Sequence, residues 1–376
     1  MINGILQVAD YDSSDAIVAS RYLNGIALGL IFPLTFVMVG EECVKTIRGA
    51  NAASIDTMSF SAGIFIQIIY SFSWSSGMND SFPAIRMCGI LNIVWGATAL
   101  LISVFLIIES PLLYLTRNDE QGAIDALRRL QRPYTITYET YEQLEEHKRY
   151  LAESKERSLM ENAIYGLPAL LKLCFYRSFS ALDISYFVNY AFTYSSMLTS
   201  QYDIWPFILY AIARWLGPLI VAFSLDTKGR RNPLIIGFLV CTVLAFTVGG
   251  IFDDFSNMNS GYYMSVVKYL LIIFQLFASM SMASSSAYLS EAFPLAVKQY
   301  FISIVFIVEM LVHIIILSSK NDHFILNILN ISDYFLAVGG LSLVFFVFAI
   351  FAMPETKGLT LRECLIKFRG FKNIHT

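Results

Sequence analysis

A chain of 376 residues that is 56% hydrophobic and only 15% charged does not fit a soluble domain, whose water-facing surface needs roughly 25% charged residues. Its net charge of −3 gives no basic footprint for nucleic acid. Cys43, Cys88, Cys174, Cys241 and Cys364 are scattered without a CxxC pair, so neither a disulfide framework nor a metal site is indicated and no cofactor is implied.

Long apolar runs set the architecture. A helix crossing a bilayer needs about 20 mostly apolar residues. Nine runs of that kind occur in chain order, at 16–39, 52–72, 87–108, 169–198, 204–225, 233–252, 266–289, 300–317 and 334–353. The stretch 1–9 is apolar but too short to span, and no cleavable signal peptide is expected before the first run. Several runs contain Gly or Pro, which helices in lipid tolerate because neighbours satisfy the freed backbone groups. The expected fold class is an all-α polytopic membrane protein.

Basic residues orient this bundle. With the C-terminal tail (Lys357, Arg362, Lys367, Arg369, Lys372) placed in the cytoplasm, the loops that fall on the same side also hold Lys45, Arg48, the basic residues of 117–157, Lys228, Arg230, Arg231 and Lys298. The opposite side keeps Arg21, Arg86, Lys268 and Lys320. That asymmetry is the positive-inside pattern. The sequons at Asn79 and Asn330 then lie on the outer side, close to the membrane. The one polar segment, 111–167, carries Glu145/Arg149 and Glu153/Arg157 at helical spacing and reads as a cytoplasmic helical linker. It divides the chain into a partial N-terminal transmembrane lobe at 1–110 and a C-terminal six-helix lobe with a short tail at 168–376.

The ends of the runs carry ordered motifs. Pro354-Glu355-Thr356-Lys357-Gly358 closes the last run, Glu109-Ser110-Pro111 closes the third, and Asp226-Thr227-Lys228-Gly229-Arg230-Arg231 joins the fifth to the sixth. Glu291-Ala292-Phe293-Pro294 is followed by Lys298, and Arg21, Gly25, Gly29, Glu41, Arg48 and Gly49 share one spacing pattern. In this order they resemble the sugar-porter branch of the major facilitator superfamily, closest in style to insect facilitated trehalose and hexose transporters. The resemblance implies a two-lobe carrier that moves a sugar by alternating access in the plasma membrane. It begins inside the family's third helix, so about nine of the family's helices are expected in this sequence.

Apart from the resemblance, Glu41, Arg48, Glu109, Asp226, Arg230, Arg231, Glu291, Lys298 and Glu355 fall at or near helix ends on one face, and the resemblance adds Arg21 to the gating charges. Opposite charges there are expected to form a latch that closes the face and opens when broken. The positions where the family holds sugar are rewritten. The seventh-helix amide pattern aligns with 176–183, including Arg177, Ser178 and Asp183. The tenth-helix pattern with its tryptophan aligns with 282–286, ending at Ser286. The next helix's asparagines align with Glu309 and His313, and a fifth-helix glutamine aligns with Asp56. Sugar sites use amides, hydroxyls and an aromatic face; this set gains charge.

Arg177, Asp183, Arg214 and Glu309 lie inside apolar runs. A charge facing lipid costs about 2.5–3.5 kcal/mol, so these four are expected to face one another or water, with Asp183 pairing Arg214. Glu309 and His313 share a helix face. No nucleophile stands near a base at a recognisable spacing, so no enzyme is expected. Two readings are open: a facilitative carrier of a sugar-like solute, or a non-transporting sensor or degenerate carrier that binds without moving solute. Flux of labelled solute separates them. The expected partners are that solute and the lipid bilayer.

Overall fold

Backbone amides in a bilayer have no water to bond, so a chain this apolar must satisfy them within helices. The structure, a computed structural model, describes residues 1–56, 59, 61–66, 84–132, 134–200, 203–319 and 324–370. Its helices in chain order are α1 (Ile2–Ala9), α2 (Ser14–Glu42), α3 (Arg48–Asp56), α4 (Ala84–Leu106), α5 (Pro111–Thr116), α6 (Glu120–Leu130), α7 (Tyr138–Glu156) and α8 (Leu159–Asp183). They continue with α9 (Tyr186–Ser200), α10 (Trp205–Lys228), α11 (Arg231–Asp253), α12 (Phe255–Met258), α13 (Gly261–Glu291), α14 (Lys298–Ser318), α15 (Phe324–Ala352) and α16 (Leu361–Arg369). Among the described residues there is no strand.

Seven helical segments among the described residues are long and apolar enough to cross a membrane: Ser14–Glu42, Ile85–Leu106, Trp205–Lys228, Arg231–Asp253, Gly261–Glu291, Leu295–Ser318 and Asn330–Ala352. They correspond to seven of the nine expected runs. The second run, 52–72, falls partly outside the described residues, as do the Asn79 sequon, Lys320 and Lys372. The fourth, 169–198, is not one helix. It breaks between α8 and α9, where Ile184 leaves helical geometry at φ −112, ψ 21. The Tyr334 hydroxyl lies 2.7 Å from the Leu182 carbonyl, to which it donates, and 2.5 Å from Ser185 Oγ. A neighbouring side chain thereby satisfies the backbone that the break frees.

The chain divides into two compact units, Met1–Glu42 with Gln67–Lys148, and Cys43–Ile66 with Arg149–Thr376. In the first, α1 packs on α2 and α4. Gln7 there donates to Ser20 at 3.1 Å and accepts from Asn92 at 3.1 Å. The polar helices α5 to α7 carry their own start signals: Asp119 caps α6 by accepting from Gly122 N, and Lys148 of α7 reaches Glu120 at 2.7 Å.

In the second unit, α13 is the central helix, packed by α3, α8, α9, α10 and α11, and α15 lies along α11. Its core holds Phe192, Phe252, Phe274 and Phe335, all essentially out of solvent. Close approach of α10 to α13 depends on Gly217, where a Cβ would meet the Leu276 carbonyl oxygen at 2.5 Å. Serine–glutamate capping at Ser158/Glu161 starts α8, and Thr360/Glu363 does the same for α16. The Asn330 sequon sits inside α15, and Ser332 is buried there, donating to the Gly249 carbonyl at 3.0 Å.

Candidate functional site

The Asp226–Arg231 turn and the chain after α15 bring charges to one end of the second unit. Gly229 turns the chain between α10 and α11 at φ +94, a left-handed value that favours glycine. That turn aims Arg230 inward. Its Nη2 donates to Glu291 Oε1 at 2.7 Å and lies 3.6 Å from Asp226, with Arg230 and Glu291 fully buried. Arg48, at the start of α3, comes within 3.9 Å of the same Glu291 oxygen. The second oxygen of Glu291 accepts from Thr356 at 2.8 Å. Burial opposes the Arg230 charge, but Glu291 and Asp226 outweigh it and raise its pKa above the ordinary guanidinium value.

Two carboxylates in this cluster hold helix starts rather than arginines alone. Asp226 accepts from the backbone N–H groups of Gly49 and Ala50 at 3.2 and 2.8 Å. Glu355 accepts from those of Arg230 and Arg231 at 3.0 and 3.1 Å. Each carboxylate fills orphan donors at the positive end of a helix dipole, α3 in one case and α11 in the other. The Arg231 guanidinium donates to the Ile350 carbonyl. Lys298 is buried at the start of α14.

The remaining charges of the expected latch lie elsewhere. Arg21 is exposed on α2 and has no ion pair among the described residues. Glu41 accepts from Ser110 at 2.5 Å within the first unit. Glu109 pairs with Arg117 at 3.8 Å on an open surface.

A second polar cluster lies deeper in the second unit. Ser286 of α13 donates to Asp56 at the end of α3. Arg177 of α8 places Nε 3.4 Å from Glu309 Oε2 of α14, close enough for an ion pair but without hydrogen-bond alignment. Its Nη1 rests on the Met282 sulfur at 2.9 Å. Asp56, Arg177, Ser286 and Glu309 are all buried. His313 is half-buried one turn beyond Glu309, and Ser178 is half-buried beside Arg177.

The expected Asp183–Arg214 ion pair does not form. Asp183, fully buried, accepts from Ser342 of α15 at 3.2 Å, and its other oxygen has no hydrogen-bond partner. Arg214 lies instead within electrostatic reach of Tyr210 and His313. The two runs looked consecutive in the sequence, but the break after Asp183 inserts α9 between the helices that carry the two residues.

Sequence reasoning missed one polar group. The Tyr210 hydroxyl meets the amide oxygens of Asn189 at 2.7 Å and Gln275 at 2.8 Å, joining α9, α10 and α13. Asn189 and Gln275 are polar residues in apolar runs, a signal that could have found them.

Residues 1–368 match the family described as sugar (and other) transporter. The chain is 24% identical to solute carrier family 2, facilitated glucose transporter member 2 of Mus musculus, over 94% of this chain and 66% of that protein. It is 23% identical to the galactose-proton symporter of Escherichia coli strain K12, covering 99% and 79% respectively. It is also 22% identical to the facilitated trehalose transporter Tret1 of Apis mellifera ligustica, over 94% of this chain and 69% of that one. The solved structure of the proton:xylose symporter XylE bound to 6-bromo-6-deoxy-D-glucose superposes with a TM-score of 0.79 at 18% identity, covering 98% of this chain and 82% of that one. That likeness establishes the major facilitator fold. The chain is an integral membrane protein of the sugar (and other) transporter family.

Proposed function

We propose that the protein carries a sugar-like solute of trehalose or hexose size across the plasma membrane by facilitative alternating access, with its C-terminus in the cytoplasm. The observation that carries this reading is the buried Arg48–Glu291–Arg230–Asp226 network. It ties α3 to α10, α11 and α13 through a few charge contacts, and such contacts separate and re-form as discrete states. Asp226 holds the start of α3, so losing that contact frees one end of that helix. In this reading residues 1–110 belong to one transmembrane lobe, 111–167 to a cytoplasmic linker and 168–376 to the other lobe. Asp56, Arg177, Ser178, Asp183, Ser286, Glu309 and His313 face the solute path.

Counterflow of labelled trehalose and glucose into liposomes holding the purified protein tests the reading. The expected result is saturable exchange that an imposed pH gradient does not concentrate. Saturable binding with no flux sinks it and leaves the sensor reading.

A further inference from the structure

The deeper cluster has an unbalanced charge. Glu309 faces Arg177 from α8 and Asp56 from α3, and these two are in turn met by Tyr176 of α8 and by Ser286 and Met282 of α13. His313 lies one turn further along α14 itself, where its own charged neighbour is Arg214 of α10. The charged neighbours that Glu309 feels are Arg177 and Asp56. Two carboxylates therefore share one guanidinium, and all three side chains are buried. One formal negative charge is left without a partner in a low-dielectric interior, where an unpaired charge is costly.

The hydrogen bonds are also incomplete. Glu309 Oε2 is buried without a hydrogen-bond donor, and Arg177 Nε and Nη2 lack acceptors. A neutral sugar hydroxyl supplies a donor and an acceptor but no charge. A protonated amine supplies up to three donors and the missing positive charge together. A neighbouring hydroxyl on the same solute can then serve the free guanidinium N–H groups.

We propose that the solute is an amine-bearing sugar, its ammonium seated between Glu309 and Asp56 and its hydroxyls on Arg177. This rests on the carrier reading above and narrows its substrate class.

D-glucosamine and D-glucose, which differ at one position by amine against hydroxyl, serve as probes in the same liposomes. At mildly acidic pH glucosamine is expected to half-saturate binding and uptake at about tenfold lower concentration than glucose, a difference of ~1.4 kcal/mol. At alkaline pH, where the amine is neutral, the gap closes. Glu309→Gln brings glucosamine to the level of glucose, and Asp56→Asn does so independently should the first variant fail to fold. Equal affinities at mildly acidic pH overturn the proposal while leaving the carrier reading intact. Glucose uptake driven by an inward acid gradient also overturns the proposal, because a proton is then the neutralising occupant, and it replaces the facilitative mode of the carrier reading with a proton-coupled one. Absence of binding and flux for both sugars overturns both readings.

Discussion

Arg230 and Glu291 meet at 2.7 Å with neither side chain open to solvent. Removing one partner of such a pair leaves the other charge buried and alone, which costs about 3–5 kcal/mol. Arg230→Ala is expected to lower thermal stability in detergent by that order, and Glu291→Ala likewise. Because Arg48 also approaches Glu291, the double variant retains a stranded arginine and recovers only part of the loss. A single-variant cost below about 1 kcal/mol means the pair is solvated in the working protein.

The turn at Gly229 offers a sharper test of the same cluster. Its φ is +94, and a Cβ there would clash with the Glu355 carboxylate, with Cδ at 2.9 Å. Gly229→Ala is expected to displace Glu355 from the start of α11 and to cost about 1–3 kcal/mol in thermal stability. Gly358, also at positive φ but with open space around it, supplies the control: Gly358→Ala carries backbone strain alone and costs less. Equal losses at the two positions argue against a capping role for Glu355.

Asp183 holds no arginine, so its loss is tolerated. Asp183→Asn keeps the Ser342 contact and is expected to change stability by less than about 1 kcal/mol, whereas Arg177→Ala strands Glu309 and costs about 3–5 kcal/mol. Exchanging Asp183 and Arg214 is expected to lower expression, because it places a guanidinium against Ser342 and Cys241. Full expression of the exchanged protein means the two residues do pair.

Orientation is tested by accessibility. Glu145 is exposed on α7, so Glu145→Cys presents a reactive thiol. An impermeant maleimide is expected to label it only after the cells are permeabilised, above the background of the native cysteines. Labelling in intact cells reverses the proposed topology.

The apolar runs made the spanning helices legible, since a bilayer demands length and hydropathy and both are visible in sequence. The motif charges at Asp226, Arg230, Glu291 and Glu355 were legible as a group that meets at one end. Their bonding was not. Backbone amides carry no letter in a sequence, so Asp226 on Gly49 and Ala50, and Glu355 on Arg230 and Arg231, could not be distinguished from plain ion pairing. The break at Ile184 was hidden for a related reason. Residues 169–198 hold no Gly or Pro to mark a stop, and the carbonyl freed at the break is satisfied by the hydroxyl of Tyr334, distant in sequence.

The ammonium of Lys172 is buried in α8 and donates to the carbonyls of Phe368 and Gly370 at 2.9 and 2.7 Å. During synthesis Lys172 is made nearly two hundred residues before those acceptors. The two hydrogen bonds that tie α8 to the end of α16 can therefore close only once synthesis has reached Gly370.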